Sequence, residues 1–388
     1  MTRAPTKVCL IQDYLPPYRI PLFTKIAAAE GIDFTLLLMA RRHASYAQWA
    51  DLWRNPPFEC LLVPGWRFRA NAEAESGLNP ALFFILARLR PDVVICSGFS
   101  INTILALLYK ALFGKRVLVW TEGTETSESY LSHPRLRTRI RRFLARWVDG
   151  FIDAGTEARA YAESLLAPNR RVPFFRSFNA IDNAGFAGRC DTFRADSAAF
   201  TAFRGRFAPR NILFSGQLIE RKNIGRLLEV YEAILARSKE PIGLIVLGQG
   251  PLHDFLVERK RTGDLRHLYL EGFQLAEDYY KYFAAADVFI LLSVYDCNPL
   301  VIFEALAAGL PAICSRHAGN AVDFITDGED GFIVDPENVE EIAAKALTIL
   351  DSADRGAMAA AARAVVRKAN YAAAAGAFVD AVTAVVRR

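Results

Sequence analysis

The stretch Ser293-Val294-Tyr295-Asp296-Cys297-Asn298-Pro299-Leu300-Val301-Ile302-Phe303-Glu304-Ala305-Leu306-Ala307-Ala308-Gly309-Leu310-Pro311 reads as the end of a strand, a loop, a helix and the start of the next strand. Asn298 is a good helix N-cap and Pro299 a good first helical residue. Gly309 and Pro311 then stop the helix. This places Asp296 in the loop and Glu304 about one and a half turns into the helix. The amides of Leu300 and Val301 fall in the first turn, where they lack intrahelical acceptors and favour an anion. Acid, free amides and acid in that order suit a sugar diphosphate. Carboxylates accept from hydroxyls, and amides donate to phosphate. An ordinary capped helix whose Glu304 pairs with an arginine gives the same pattern.

The same strand–turn–helix rhythm runs outward in both directions. The first half carries candidate strands at 8–13, 33–39, 58–63, 92–97, 116–121 and 150–155, with helices at 79–90, 100–113, 134–148 and 156–167. The second half carries strands at 211–216, 242–248, 268–273, 288–293, 311–315 and 332–335, with helices at 223–237, 251–262, 276–286 and 299–308. Such alternation predicts parallel sheets covered by helices, and the strands are apolar without strict alternation, as buried parallel strands are. The fold class is therefore α/β, with two Rossmann-like domains facing each other across a cleft as the default ligand site. The least patterned stretch sets the boundaries: a first domain at 1–182, a linker at 183–207, a second domain at 208–365 and a C-terminal helix at 366–388 that packs back toward the first domain. The Ala-rich tail 357–387 reads as a surface helix.

Composition bounds the function. The chain has 388 residues, 52% hydrophobic and 23% charged, with a net charge of +5. Those values fit a well-packed protein of two domains and exclude a disordered chain or a dedicated nucleic-acid binder. Six cysteines without a C-x-x-C pair and five dispersed histidines give no metal or thiol-redox pattern. The N-terminus is a poor signal peptide, and the longest apolar stretch, 101–113, falls short of a membrane span. The expected location is cytoplasmic, at the inner face of the membrane if the chain touches one.

Other segments add phosphate-friendly turns. In Phe214-Ser215-Gly216-Gln217-Leu218-Ile219-Glu220-Arg221-Lys222-Asn223 a strand ends at Gly216 and a helix begins near Asn223. Lys222 beside that helix start suits a phosphate, and also fits a solvated loop lysine. Leu247-Gly248-Gln249-Gly250-Pro251 is a second glycine turn, but neither a Gly-x-Gly-x-x-Gly fingerprint nor a P-loop. Glu122, at the end of strand 116–121, reads either as a catalytic base or acceptor-orienting group, or as a turn carboxylate. The segment 135–147 carries six arginines, and Leu136, Ile140, Phe143, Leu144 and Trp147 share one helical face. It reads either as an anionic-membrane contact or as a core-facing stripe with a solvated basic face.

Taken together these segments resemble the retaining family 4 glycosyltransferases of GT-B fold, the glycosyl transferases group 1. The resemblance runs in order through the second half: the turn 216–222, Gly248-Gln249-Gly250-Pro251, Ala284-Ala285-Ala286-Asp287-Val288-Phe289, the segment from Asp296 to Glu304, and Ala318-Gly319-Asn320 through Asp327-Gly328-Glu329-Asp330-Gly331-Phe332. In the first half only Asn179-Ala180-Ile181-Asp182 and Pro17-Tyr18-Arg19 are similar.

The resemblance implies a donor site of Gly216, Gln217, Arg221, Lys222, Phe273, Gln274, Asp296, Asn298, Leu300, Val301, Glu304 and Arg19, with Asp296 and Lys222 as catalytic residues; Glu122, which stands after a strand where many relatives carry a histidine, joins the catalytic set from its place at the strand's carboxyl end. Glu304 would accept from ribose hydroxyls and Asp296 from donor-sugar hydroxyls. Lys222 would neutralise the diphosphate, and Phe273 and Gln274 would lie beside the base. The family's usual arginine is Gln217 here, so Arg221 or Arg19 would have to supply that charge. Asp296 replaces the family's glutamate and Asn298-Pro299 its Phe-Gly. The implied activity is front-face, metal-independent transfer of a hexosyl group with retention, with no cofactor. The donor is a nucleotide sugar, UDP-linked, and the acceptor a bacterial surface glycan or its lipid-linked precursor. The rivals are a catalytically inactive module of the same fold and a nucleotide-sugar epimerase.

Overall fold

In the computed structural model, residues 4–40, 55–69, 75–130, 133–263 and 265–387 are described. The chain divides into two units, Met1–Ala180 with Asn370–Arg388, and Ile181–Ala369. The first unit runs β1 (Thr6–Gln12), α1 (Ile20–Ala27), β2 (Ile32–Leu38), β3 (Glu59–Leu62), β4 (Trp66–Arg69), β5 (Glu75–Leu78), α2 (Ala81–Leu89) and β6 (Val93–Ser97). It continues through α3 (Ile101–Phe113), β7 (Arg116–Thr121), α4 (Glu125–Ser129), α5 (Pro134–Ala145), β8 (Gly150–Asp153), α6 (Thr156–Ser164) and β9 (Phe174–Arg176). Seven of these strands form one parallel sheet in the order β3-β2-β1-β6-β7-β8-β9, and β4 and β5 pair as a separate antiparallel hairpin.

The second unit opens with α7 (Asn183–Ala195) and α8 (Ser197–Arg204), then β10 (Arg210–Ser215), α9 (Ile224–Arg237), β11 (Ile242–Leu247), α10 (His253–Thr262), β12 (Leu268–Gly272) and α11 (Ala276–Ala285). It continues with β13 (Val288–Leu291), α12 (Leu300–Ala307), β14 (Ala312–Ser315), α13 (Ala321–Phe324), β15 (Gly331–Val334), α14 (Val339–Asp351) and α15 (Arg355–Val366). The chain closes on α16 (Tyr371–Val386), which belongs to the first unit. The second sheet is parallel throughout, ordered β12-β11-β10-β13-β14-β15. Both sheets have the doubly wound, Rossmann-like form that the alternation predicts. Strands β11 and β13 are buried along their whole length, which explains why their sequences do not alternate.

Two expectations are corrected. Residues 183–207, read as a linker, are largely helical: Phe186, Cys190 and Phe193 on α7 are buried, and Phe186 meets Tyr279 and Phe283 of α11 edge-on. Their polar, Gly-containing outer face hid this one-sided apolar set. The Ala-rich tail is not a single surface helix. Residues 355–386 have the length and composition to cross a membrane, which corrects the reading of 101–113 as the longest apolar stretch. They form two helices, and α16 buries Ala374, Ala375, Phe378, Ala381, Val382 and Val385 in the first unit. Phe378 packs edge-on to Trp120 of β7, with ring centroids 5.1 Å apart. The small alanines let α16 lie close against β8 and β9, so a face that scores as weakly apolar is a core face.

The glycine turn at 248–250 has a packing origin. Gly248 has φ +137°, and a Cβ there would lie 1.8 Å from Gly216 O; a Cβ on Gly250 would lie 2.4 Å from Leu218 O. Gly216 N donates to Leu247 O (3.0 Å) and Leu218 N to Gln249 O (2.9 Å). The turn that begins at Gly216 is therefore laid directly on the second turn, and only glycine permits that approach. Gly248→Ala pushes the two turns apart. It is expected to lower the unfolding free energy by about 1–3 kcal/mol in chemical denaturation, and a variant as stable as the parent would contradict this account.

Candidate functional site

In the second sheet the strand order reverses between β10 and β13. Loops leaving the carboxyl ends of strands at such a reversal diverge and leave a crevice. The loop after β10 holds Gln217 and ends in a 3-10 turn, Glu220–Lys222, closed by Asn223 at φ +57°. Asparagine tolerates that left-handed conformation better than most residues. The loop after β13 holds Asp296. Val294 N donates to Arg221 O (2.8 Å), tying the two loops together. The loop after β14 joins them: Asp296 N donates to His317 O (3.1 Å), and Gly319 N to Asp296 O (2.8 Å).

These backbone ties bring three charges together. Lys222 is only 7% exposed. Its Nζ donates to Asp296 Oδ2 (2.5 Å), and an Arg221 guanidinium nitrogen donates to the same oxygen (3.1 Å). Lys222 is thus a buried ion-pair partner, not a solvated loop lysine. Burial opposes ionisation of Asp296, but Lys222, and after it Arg221, hold its carboxyl below the usual aspartate range. Two cations converging on one carboxylate oxygen form a positive centre suited to a diphosphate.

Glu304 lies on α12 and its partner is a tyrosine. Tyr279 OH of α11 donates to Glu304 Oε2 (2.7 Å) and lies 2.9 Å from Ser215 Oγ at the end of β10. Removal from water raises the Glu304 carboxyl to about 7, against the smaller opposing effects of the Tyr279 hydrogen bond and the Arg189 charge. Burial, together with Glu304, pushes the Tyr279 hydroxyl well above its ordinary value. The expected alternative, an arginine paired to Glu304, is absent among the described residues. Sequence reasoning missed Tyr279, Ser215 and Arg189. No spacing rule links residues 25 positions apart on two different helices, and the one available signal was a serine closing the strand before Gly216.

The helix after Asp296 starts one residue later than expected. Pro299, extended at φ −69° and ψ 107°, is the N-cap, and Leu300 and Val301 occupy the first turn. Asn298 does not cap it, because its Oδ1 accepts from buried Asn320 Nδ2 (3.1 Å). Asn320 also donates to Pro299 O (3.1 Å) and so fastens the helix start from below. Phe273 and Gln274 follow β12: Phe273 is exposed, and Gln274 Nε2 donates to Glu271 O. Among the described residues no three His, Cys, Asp or Glu side chains group as a metal site.

Arg19 and Glu122 lie in the first unit, on loops after β1 and β7. They were read separately, and the structure pairs them. The Arg19 guanidinium donates to a Glu122 carboxylate oxygen and sits 4.2 Å from the Trp120 ring centroid. Arg19 is buried, so its charge already has a carboxylate and an aromatic face as partners. The pairing gives Glu122 a fixed position.

Residues 205–365 match the family described as Glycosyl transferases group 1. Among curated relatives, an N-acetylgalactosaminyltransferase of Campylobacter jejuni, acting on N-acetylgalactosamine-N,N'-diacetylbacillosaminyl-diphospho-undecaprenol, is 32% identical over 33% of each chain. The O-antigen chain mannosyltransferase B of Escherichia coli is 33% identical over 36% of each chain. Each match spans about a third of the relative's length. Among solved structures, Anabaena HepE in complex with UDP superposes with a TM-score of 0.72 at 16% identity, covering 98% of this chain and all of that one. The lipopolysaccharide outer core galactosyltransferase WaaB superposes with a TM-score of 0.71 at 13% identity, covering 98% of this chain and 99% of that one. These likenesses carry the fold along the chain, and the match to the Glycosyl transferases group 1 family covers residues 205–365, within the unit that holds Lys222, Asp296 and Glu304.

Proposed function

We propose that the protein is a retaining, metal-independent glycosyltransferase that moves a hexosyl group from a UDP-linked sugar to a glycan or lipid-linked acceptor in surface polysaccharide synthesis. The observation that carries this reading is the convergence of Lys222 and Arg221 on Asp296 at the strand-order reversal, with Glu304 on the helix that follows. Support for the donor comes from the fold shared with a UDP complex, and support for the acceptor class from the two bacterial relatives.

In this reading the diphosphate lies against Lys222, Arg221 and the first-turn amides of α12. As the bond between the sugar and the phosphate oxygen breaks, negative charge grows on the leaving diphosphate, and these groups neutralise it. The acceptor oxygen bonds to the sugar on the face that the diphosphate leaves, and its proton passes to the departing phosphate. No enzymic nucleophile is then needed. Asp296 accepts from hydroxyls of the donor sugar, and Glu304 from those of the ribose.

A ligand that binds only the folded protein raises its melting temperature by mass action. UDP and UDP-sugars are expected to do so with EDTA present, and ADP and GDP much less; no shift with any nucleotide would overturn the assignment. Lys222→Met is expected to lower turnover by about 10²–10³-fold while nucleotide binding survives.

Glu304 gives this site a pH signature. Its folded pKa lies above the unfolded value, so its ionisation works against folding: its stabilising contribution is full below about 4.5 and is lost as pH rises through about 7. Nucleotide binding needs the carboxylate and so has the opposite slope. Affinity should fall as pH drops below about 7, by up to about tenfold per unit. Glu304→Gln should weaken binding and remove that component of the pH profile. Tyr279→Phe, which deletes a hydrogen bond to the carboxylate, should move the fall to higher pH. Identical profiles in all three proteins would contradict the role given to Glu304.

A further inference from the structure

The basic helix α5 turns only Leu144 and Ala145 of its apolar residues into a core. Leu136, Ile140, Phe143 and Trp147 are 46–57% exposed. The buried side of α5 is another one, carrying Arg141, Leu144 and Ala145. Arg141 is occupied there by Glu128 and by Tyr161 OH (2.7 Å). The remaining surface carries two parallel rows. Leu136, Ile140, Phe143 and Trp147 follow an i, i+4, i+7, i+11 spacing, and Arg135, Arg139, Arg142 and Arg146 follow the same spacing one residue earlier. One residue is about 100° of helix, so an apolar ridge and an arginine ridge lie side by side, both facing out. All four arginines are exposed, and none forms an ion pair among the described residues.

A second helix continues the apolar ridge. On α3, Ile101, Ile104, Leu108 and Leu112 form an exposed row. Lys110 joins α3 to the end of α5 by donating to Trp147 O (2.7 Å) and Asp149 Oδ2 (2.7 Å). Between the helices a groove of about 520 Å³ is lined by Ile101, Ile104, Ile140 and Leu144, with Arg137 and Arg141 along it. Eight large apolar side chains in two adjacent rows exceed the scattered exposure normal for a surface.

We infer that the α3–α5 face is an interfacial docking surface for an anionic lipid leaflet, independent of the donor site. The charge arrangement selects this occupant. A protein interface core is depleted of charge, whereas an apolar ridge flanked lengthwise by arginines matches acyl chains beside a plane of phosphates. On the leaflet the α5 row and the α3 row enter the acyl boundary. Arg135, Arg139, Arg142 and Arg146 lie at the level of the headgroup phosphates, outnumbering the two acids on that flank, Glu125 and Glu128, of which Glu128 is already paired with Arg141.

The test is co-sedimentation of the full chain with vesicles of phosphatidylglycerol and phosphatidylcholine, and with phosphatidylcholine alone. Binding is expected to the anionic vesicles, weaker at high salt, and far weaker to the neutral ones. Replacing the four arginines by glutamine should lower partitioning by about tenfold or more. Leu112→Ser with Phe143→Ser should abolish it. All of these side chains are exposed, so the fold should survive, which circular dichroism melting checks. No binding to anionic vesicles, or binding that neither set of substitutions reduces, would overturn the inference. So would a dimer in sedimentation velocity that the serine substitutions dissociate, since a second copy would then own the face.

Discussion

The shared oxygen of Asp296 is the constraint around which the second unit's site is arranged. Lys222 reaches it from the loop after β10, and Arg221 reaches it from the same turn. A lysine this deeply buried is tolerable only with a carboxylate in contact, and a buried carboxylate only with cations. Each side of the strand-order reversal therefore supplies what the other needs. The backbone bonds from Val294 to Arg221 and from Asp296 to His317 hold the geometry without using the charged groups themselves. The glycines at 248 and 250 let the whole arrangement rest on the neighbouring turn.

Glu304, on the helix that follows the Asp296 loop, obeys a different logic. Asp296 is kept ionised by charge, whereas Glu304, raised to about 7, is about half protonated at pH 7 because it is desolvated and its partner is the neutral hydroxyl of Tyr279. Two acids eight residues apart in sequence thus have environments that push their titrations in opposite directions. That separation suits a site in which one carboxylate stays permanently charged beside phosphate-binding cations and the other gains its charge as ligand hydroxyls arrive.

Much of the fold was legible because local rules and tertiary structure agree in parallel α/β sheets. Apolar runs marked the strands, and Asn223, Gly309 and Pro311 punctuated the helices. Legibility failed where packing depends on a face and not on composition. α7 looked like a linker because one buried side, with Phe186, Cys190 and Phe193, is diluted by polar residues. The Ala-rich tail 357–387 read as a surface helix because alanines supply the core face of α16. In the site, Lys222 and Asp296 could be named because they fall in turns after strands, and Glu304 because it lies in the helix that follows Asp296. Tyr279 and Ser215 could not, because their positions are fixed only when α11 packs beside β10 and Tyr279 reaches Glu304 of α12. The pairing of Arg19 with Glu122 depends likewise on strands that are distant in sequence.

The central claim is that Asp296 holds the two cations a diphosphate must engage. The most direct measurement is calorimetric titration of UDP and of a UDP-sugar into the parent protein and Asp296→Asn. Removing the carboxylate frees Lys222 and Arg221, so UDP should bind the variant about tenfold more tightly or better. The UDP-sugar should gain less, because the variant has lost the acceptor for its sugar hydroxyls. UDP binding that is weaker or unchanged in Asp296→Asn would contradict the account.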